Sequence, residues 1–382
     1  MKVLHLATLV SPDGAYGGPL RVALNQAAEL RRRGHDVHIA AGWQGGAEVP
    51  RHLDGTPTHL FPVRRVVRSR GHSGMVSVGL FRWLTAHIGA YDIVHIHAGR
   101  DLISNASMGV AYLKRRPYLV QTHGMVPPDA RPITRFMDVL LTRRLLRSAS
   151  KRFVLTEREA SDLKSVLSPE TTTEHLPNGV PQASVVAQPG PRREVLFCAR
   201  LHRRKRPVDF VEVAAELTRR GIRATYALVG PDEGELTAVL STIEERNLQD
   251  IVHYDGALDY DEVLERMSRA TVYILPSVDE PFGMSLLEAL SLGIPSICTS
   301  SCGLAGILRE QRAALVTGES VVEMADGVQK ILRDESLNRE LSLNGKRAVA
   351  DLFSMKAVGD QLEKAYADVL EAQGNSASLS ET

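Results

Sequence analysis

The feature that most constrains this chain is a regular alternation of short apolar segments with longer segments of helical spacing. The helical segment at residues 20–30 ends at Gly34, and similar stretches separate the later apolar segments. Strand-like segments of the first half are residues 3–9, 36–41, 91–97, 116–122 and 152–156. Such alternation predicts βαβ units, in which parallel sheets carry helices on both faces.

The alternation is interrupted once, by Pro- and Gly-rich sequence at residues 176–181 and 187–192, and then restarts. Strand-like segments of the second half are residues 194–199, 224–229, 251–254, 272–275 and 296–299. A chain of 382 residues exceeds the size that one hydrophobic core serves well. We therefore predict two doubly wound α/β domains, residues 1–185 and 186–355. A last helix at 356–372 and a small, polar, disordered tail at 373–382 follow.

Composition indicates an ordinary globular protein, with 43% hydrophobic and 24% charged residues. No apolar run approaches the roughly 18 residues of a membrane span. The N-terminus lacks the layout of a signal peptide. The three cysteines are too few for a disulfide framework, and we expect them to be small buried residues in a reducing cytoplasm.

Charge is distributed unevenly although the net charge is only +1. Residues 1–185 carry a net charge of +10 and residues 186–382 carry −9. Seven basic residues surround the apolar stretch 136–146, opposed by Asp138 alone. This pattern is typical of a basic amphipathic helix on an anionic membrane, or equally of a packed helix with a solvated basic face. Neither interpretation involves nucleic acid.

Two glutamates frame the most informative segment, residues 276–290. Glu280 precedes Pro281 and therefore lies outside a helix, which we expect to begin near Gly283 or Met284. The free N–H groups and positive dipole of a helix start form an anion site. Glu288 lies about one turn into the helix and leans back toward its start, where it can accept hydrogen bonds from a diol. A ligand that carries both a diol and a diphosphate is a nucleotide, so the segment predicts a nucleotide-binding site.

With its flanking Pro-Ser, Pro-Phe-Gly and Glu-Ala-Leu, this segment resembles the paired-glutamate motif of retaining GT-B glycosyltransferases of family 4. The resemblance implies two Rossmann-like domains facing each other across a cleft, and a last helix that crosses back to the first. It implies that Glu280 contacts the donor sugar and Glu288 the ribose. The donor-binding set that follows from it is Phe282, Gly283, Met284, Ser285, Leu287 and Glu288.

Cations and glycines elsewhere extend the resemblance. Arg200 and Lys205 match the family's pair that holds the diphosphate, and they would neutralise charge on the leaving group. The family usually has glycine where this chain has Arg206. Gly17 and Gly18, ahead of a helix expected near Pro19, match the family's phosphate-contacting glycine pair.

Two histidines follow strands of the first domain. His123 matches the family's histidine near the reacting carbon of the donor sugar. His97 is a candidate for the acceptor side. Asp259 and Asp261 resemble a metal-binding aspartate pair, but they precede a helical pattern, and we interpret Asp259 as a helix cap. We therefore expect neither a catalytic metal nor a bound cofactor.

The resulting prediction is a retaining, metal-independent hexosyltransferase that uses a nucleoside-diphosphate sugar. His123, Glu280, Arg200 and Lys205 are the predicted catalytic residues. The expected acceptor is a glycan or glycolipid of cell-surface or exopolysaccharide assembly, with a small soluble natural product as the alternative. A nucleotide-sugar epimerase or phosphorylase on the same fold, and an inactive sugar-nucleotide binding module, are the competing functions.

Overall fold

A computed structural model describes residues 1–11, 17–66, 74–181, 185, 188, 190 and 193–380. The chain forms two compact units. Unit 1 comprises Met1–Gly179 with Met355–Thr382, and unit 2 comprises Val180–Ser354. The unit boundary thus precedes residue 185, the predicted end of the first domain, and the linker predicted at 187–192 falls mostly outside the described residues.

The main sheet of unit 1 has the strand order β10-β9-β8-β7-β1-β2-β4-β3 in the described part of the chain. All neighbours are parallel except β3 and β4, and β5 and β6 form a separate antiparallel pair. The strands are β1 (Lys2–Val10), β2 (Asp36–Trp43), β3 (His52–Leu53), β4 (Thr56–Pro62), β5 (Arg64–Arg65), β6 (Met75–Val76), β7 (Ile93–His97), β8 (Tyr118–Gln121), β9 (Lys151–Val154) and β10 (Glu174–His175). The sequence pattern did not reveal β3 to β6 or β10.

Helices cover both faces of this sheet. They are α1 (Gly17–Arg32), α2 (Val78–His87), α3 (Leu102–Leu113), α4 (Pro132–Met137), α5 (Arg143–Ser148) and α6 (Glu157–Val166). A π-helical turn, Asp138–Thr142, joins α4 to α5. Because β1 is buried on both faces over most of its length, residues 3–10 are apolar except for His5 and Thr8, and the pattern does not alternate.

Unit 2 is a second doubly wound unit, whose described strands form a parallel sheet in the order β13-β12-β11-β14-β15-β16. Its strands are β11 (Glu194–Cys198), β12 (Thr225–Val229), β13 (Val252–Tyr254), β14 (Val272–Leu275), β15 (Ser296–Thr299) and β16 (Leu315–Thr317). Its helices are α7 (Pro207–Arg219), α8 (Leu236–Glu245), α9 (Tyr260–Ser268), α10 (Met284–Leu292), α11 (Ala305–Glu310), α12 (Val321–Arg333) and α13 (Glu335–Ala348).

The strand order reverses between β11 and β14, which are paired through Val195 with Val272 and Leu196 with Tyr273. The chain therefore leaves these neighbouring strands in opposite directions, and the loops after their carboxyl ends lie next to each other. Ligands of open α/β sheets bind at such a switch point. The loop after β11 carries Arg200 and Lys205, and the loop after β14 carries Glu280.

The last helix, α14 (Met355–Ser380), belongs to unit 1 and packs beside α1. Val358, Leu362 and Tyr366 are buried in the cluster that also contains the apolar face of α1. Arg33 anchors the helix through hydrogen bonds of 2.7 Å to Asp360 and Glu363. The helix continues through Ser380, whereas the sequence analysis expected disorder from residue 373. Extending an existing helix costs far less than nucleating one, so weak helix formers can follow a docked segment.

Candidate active site

The carboxyl end of β14 leads into a loop that ends at α10. Gly283 is the N-cap residue of α10 in a left-handed conformation (φ 45°), where a side chain would be strained. The helix begins at Met284, in agreement with the predicted start. Leu286 N–H already donates to Gly283 C=O at 3.1 Å. The N–H groups of Met284 and Ser285 belong to the first turn, whose donors have no acceptor within their own helix.

Glu280 is buried in this loop, with 7% of its surface exposed. Its carboxylate forms an ion pair with Lys205 of the neighbouring loop, whose side chain is 14% exposed. Burial is the largest influence on the pKa of Glu280 and acts to raise it. The charges of Lys205 and Arg204, together with the Gly283 N–H, outweigh burial and hold the pKa of Glu280 below its usual range. Glu280 is therefore an anion near pH 7.

Glu288 lies in the second turn of α10 and is 8% exposed. Both glutamates influence the pKa of the same residue, Tyr273 of β14, which is fully buried. Burial first, and then negative charge that includes Glu288 and Glu280, raises the pKa of Tyr273 well above its ordinary value. The Tyr273 hydroxyl also lies 2.7 Å from Ser285 Oγ, which fixes the first turn of α10 to the sheet. Both predicted glutamates thus lie near enough to the Tyr273 hydroxyl to influence its pKa.

Arg200 lies at the end of β11 and forms hydrogen bonds of 2.6 and 2.8 Å with the carboxylate of Glu233. Its side chain is 47% exposed, so water screens this ion pair and the guanidinium can exchange partners at little cost. Sequence reasoning missed Glu233. The signal available was the Gly230-Pro-Asp-Glu-Gly234 turn after β12, where Gly230 (φ 141°) lies so close to Ala199 C=O that a Cβ would clash.

Lys205 ends a 3₁₀ turn, Arg203–Lys205, that precedes α7. The next residue, Arg206, has the left-handed conformation (φ 54°) for which glycine is the usual choice. Its guanidinium donates to the Asp209 carboxylate and to Glu319 C=O. These contacts offset the strain, so the loop keeps a glycine-like path without a glycine.

Two predicted donor-binding side chains point into the core. Phe282 is 4% exposed, and its ring packs edge-on against Phe353 at 6.1 Å between centroids. Leu287 is fully buried, and its N–H donates to Gly283 C=O at 3.3 Å. Both side chains secure the loop and helix that carry the polar groups, and contact of either residue with a donor stays a prediction. Burying these apolar side chains in the core is more favourable in free energy than exposing them to solvent.

His123 of unit 1 occupies a tight turn directly after β8. His123 and Gly124 are both left-handed (φ 50° and 72°), and Met125 N–H closes the turn onto Thr122 C=O at 2.8 Å. Buried Glu159 holds the turn by accepting from Thr122 Oγ1 at 2.5 Å and from Gly124 N–H at 2.6 Å. Sequence reasoning missed Glu159, although it follows Thr156 at the capping-box spacing. Burial lowers the pKa of His123 to about 3, so its ring is neutral near pH 7.

His97 does not line an acceptor surface, which corrects the sequence-based prediction. It is fully buried, and its two ring nitrogens lie 3.0 Å from His5 Nδ1 and 2.9 Å from His123 Nε2. The residue at this strand end points into the layer beneath α1 and α14, because side chains alternate along β7 and Ile93 faces the same layer.

The remaining predicted features divide into three groups. Gly17 and Gly18 form the first turn of α1, which begins at Gly17, two residues before Pro19; residues 12–16 of the preceding loop lie outside the described residues. The capping role of Asp259 is confirmed, because Asp259 and Glu262 form a reciprocal capping box at the start of α9. All three cysteines are free and buried, also as predicted.

A basic surface with exposed apolar side chains lies on the α4–α5 segment of unit 1. Phe136, Val139 and Leu140 are 60%, 66% and 65% exposed. Asp138 points inward and forms two 3.0 Å hydrogen bonds with Arg100. The one acidic residue of this stretch is thus neutralised in the interior. Across the described residues, we find no helix with the combined length and hydrophobicity of a membrane span.

The two units correspond to two sequence families. Residues 182–348 match the family described as glycosyl transferases group 1. Residues 17–179 match the glycosyl transferase 4-like domain. The chain belongs to the group 1 glycosyltransferases of the GT-B, family 4 type, enzymes that transfer a sugar from a nucleotide-sugar donor.

Curated relatives and solved structures support this assignment. The chain is 26% identical to the alpha-D-kanosaminyltransferase of Streptomyces kanamyceticus over 303 residues, which cover 72% of this chain and 77% of that protein. It is 24% identical to the phosphatidyl-myo-inositol mannosyltransferase of Propionibacterium freudenreichii, covering 92% and 91%. The structure of Anabaena HepE in complex with UDP matches with a TM-score of 0.77 at 16% identity, covering 96% and 100%.

Proposed function

We propose that this protein is a retaining hexosyltransferase that uses a nucleoside-diphosphate hexose and acts on a membrane-borne glycolipid or lipid-linked glycan. The observation that carries the donor half of this proposal is the pairing of buried Glu280 with Lys205 at the start of α10, while buried Glu288 lies in the same helix. In this proposal Glu280 binds the hydroxyls of the sugar, and Glu288 binds the ribose.

The leaving diphosphate meets positive charge from three sources. In this proposal these are Lys205 Nζ, the exposed guanidinium of Arg200 and the first-turn N–H groups of Met284 and Ser285, which the loops after β11 and β14 carry. Each of them stabilises the negative charge that builds on the phosphate oxygen as the glycosidic bond breaks. The acceptor hydroxyl attacks from the side that the diphosphate leaves, and the leaving phosphate accepts its proton. No carboxylate nucleophile and no metal ion are part of this route.

A donor panel tests this assignment directly. UDP-, GDP- and dTDP-hexoses are compared for thermal stabilisation, because a ligand that binds the folded state raises the melting temperature by mass action. With the donor identified, we expect nucleoside diphosphate to be released only when acceptor is present, and an α-linked product from an α-linked donor. Full turnover in EDTA is expected. Release of diphosphate without acceptor, or an inverted product, would reject the proposal.

The membrane half of the proposal rests on the α4–α5 surface. Three exposed apolar side chains lie beside exposed Arg135, Arg144 and Arg147, a combination that favours an anionic lipid surface. Binding to anionic vesicles should weaken in high salt and upon Leu140→Ser. The matched control is Leu343→Ser, because Leu343 is 64% exposed on unit 2. Equal binding to neutral and anionic vesicles would refute this half.

A small soluble acceptor is the second candidate. It is favoured by the similarity to the Streptomyces kanosaminyltransferase. Unchanged turnover of a water-soluble acceptor by Leu140→Ser, together with no vesicle binding by the wild type, would establish this alternative.

A further inference from the structure

Four histidines and one tyrosine of unit 1 form a continuous hydrogen-bonded chain. His95 Nδ1 lies 2.7 Å from Tyr366 Oη, which lies 3.4 Å from His5 Nε2. His5 Nδ1 lies 3.0 Å from His97 Nε2, and His97 Nδ1 lies 2.9 Å from His123 Nε2. His5 is opposite His95 in the register of β1 and β7, and His97 follows on the same face.

This chain is made of neutral groups, of which four lie in the protein interior and His123 is partly exposed. His5, His95, His97 and Tyr366 are fully buried. Burial lowers the pKa of His5 and His123 to about 3 and holds the pKa of His95 and His97 well below 6.5. A neutral imidazole has one N–H and one lone pair. The proton on each ring therefore decides which way the next hydrogen bond points.

Two arrangements satisfy every link of the chain while the Tyr366 hydroxyl donates to one of its two histidine neighbours. If Tyr366 accepted from both His95 and His5, its own buried O–H would have no acceptor among the described residues, which is unfavourable. In the first, His95 donates to Tyr366, Tyr366 to His5, His5 to His97 and His97 to His123. In the second, every bond is reversed. The arrangements differ at the two ends, where the free nitrogens are Nε2 of His95 and Nδ1 of His123.

His95 Nε2 decides between them. Among the described residues it is a buried atom without a hydrogen-bond partner. The first arrangement leaves a lone pair there, and the second leaves an N–H. An orphaned buried N–H is rarer in proteins than an under-satisfied acceptor, which favours the first arrangement. His123 then accepts at Nε2 and carries its proton on Nδ1.

We propose that His5 and His97, anchored by Tyr366, are positioning residues that hold His123 in the Nδ1–H tautomer, so that it presents a hydrogen-bond donor to a sugar hydroxyl. His123 is partly exposed, and its Nδ1 has no partner among the described residues. The role at the sugar rests on the proposed function. The tautomer itself does not, because it is set within unit 1.

The same histidines are the one group of described side chains that could surround a metal ion, since ligand atoms of His5, His95 and His97 lie within 4.8 Å of one another. The bond between His5 Nδ1 and His97 Nε2 already engages one ring nitrogen of each of these two histidines. A hydrogen-bonded chain therefore explains the cluster without a buried divalent charge.

The tautomer is measured on the full-length, ligand-free protein. Histidine labelled with ¹⁵N gives long-range ¹H–¹⁵N spectra in which protonated and unprotonated ring nitrogens are resolved, and His123→Gln assigns the signal. We expect protonated Nδ1 and unprotonated Nε2 at pH 7. A protonated Nε2 at His123 would overturn the proposal, and so would stoichiometric binding of added Zn²⁺ that removes the His5 and His97 signals. Both results are independent of whether the protein transfers sugar.

Two substitutions at His97 separate positioning from packing. His97→Gln retains an N–H donor toward His123, whereas His97→Leu removes it. We expect His97→Leu to mix the tautomers of His123 and to lower kcat about fivefold with little change in KM, the effect of one lost hydrogen bond. His97→Gln should restore both the single tautomer of His123 and the wild-type kcat. His59→Leu is the matched control, because His38 and His59 form a 3.0 Å histidine pair elsewhere in unit 1. A pure Nδ1–H signal in His97→Leu would contradict the proposal.

Discussion

Unit 1 and unit 2 bury polar groups beside their central strands in opposite ways. Unit 1 links neutral rings, His5, His97 and His123, through shared protons. Unit 2 buries a charged pair, Glu280 with Lys205. A chain of neutral groups avoids the cost of desolvating ions, but its hydrogen-bond pattern is lost when one of the rings is protonated. A buried ion pair persists over a wide pH range, but removing one partner leaves the other as an unpaired buried charge, which is costly.

The largest expected difference between the units is in their response to acid. The four chain histidines have lowered pKa values in the folded protein, so below about pH 6.5 the unfolded state binds protons that the folded state does not. Stability is therefore lost as pH falls from 6.5 toward 3, by about 1.4 kcal/mol per pH unit for each histidine that stays neutral. The Glu280 carboxyl begins to contribute a loss only below its ordinary value of 4.5.

Urea unfolding at pH 7.0 and 5.5 measures this difference. Both tryptophans, Trp43 and Trp83, lie in unit 1, so their fluorescence reports that unit alone. Hydrogen exchange followed by mass spectrometry reports unit 2. We expect a large drop in the fluorescence midpoint and a small change in unit 2. His52→Gln, which alters an exposed histidine, should behave as the wild type. Equal losses of stability in both units would contradict the expected difference in their response to acid.

Lys205→Ala tests the charged pair of unit 2. We expect kcat to fall by about 10²-fold or more, because one electrostatic donor to the leaving group is lost. Stability should also fall by about 3 kcal/mol, since Glu280 is left buried without its partner. Arg203→Ala is the control, as it removes an exposed cation from the same turn. Wild-type turnover in Lys205→Ala would eliminate the proposed role of this cation.

Glu288→Gln tests whether the second glutamate serves the nucleotide. Replacing the carboxylate by an amide weakens hydrogen bonds to a diol, and we expect the donor KM to rise by about tenfold with kcat less affected. Calorimetric titration of nucleoside diphosphate measures the loss directly. Glu310→Gln, at an exposed position of α11, should bind normally. Unchanged affinity in Glu288→Gln would place the ribose elsewhere.

Glu233→Gln is expected to have the smallest effect. The Arg200 and Glu233 side chains are 47% and 29% exposed, and ion pairs that are accessible to solvent contribute about 0–1 kcal/mol. Stability should change by less than about 1 kcal/mol, and donor affinity should be kept or improved because Arg200 no longer has a competing partner. A loss of stability as large as that of Lys205→Ala would show that Arg200 and Lys205 are held by their carboxylate partners in the same way.

Much of the arrangement around Glu280 and α10 was predictable from local sequence. Pro281 and Gly283 fix where the helix begins, and the spacing from Glu280 to Glu288 then places the second carboxylate in the second turn of that helix. The switch between β11 and β14 brings Lys205 to Glu280. Glu233 and Tyr273 were missed, because their roles depend on contacts between segments distant in sequence.

The first unit was less predictable. His123 was identified, but His97 was assigned to the acceptor side because strand ends are often exposed at a binding surface. Packing beneath α14 buries it instead. Glu159 escaped notice because two of the hydrogen bonds that its carboxylate accepts come from a turn 35 to 37 residues earlier in the chain.

Sequence alone determined the two α/β units, the start of α10 and the chemical character of its two glutamates, since these follow from periodicity, backbone restriction and side-chain type. Only the tertiary structure decided which groups are paired, which are buried and how the histidines are linked. The physical reason is that protonation, ion pairing and hydrogen-bond direction depend on neighbours within about 3 Å, and long-range packing supplies those neighbours.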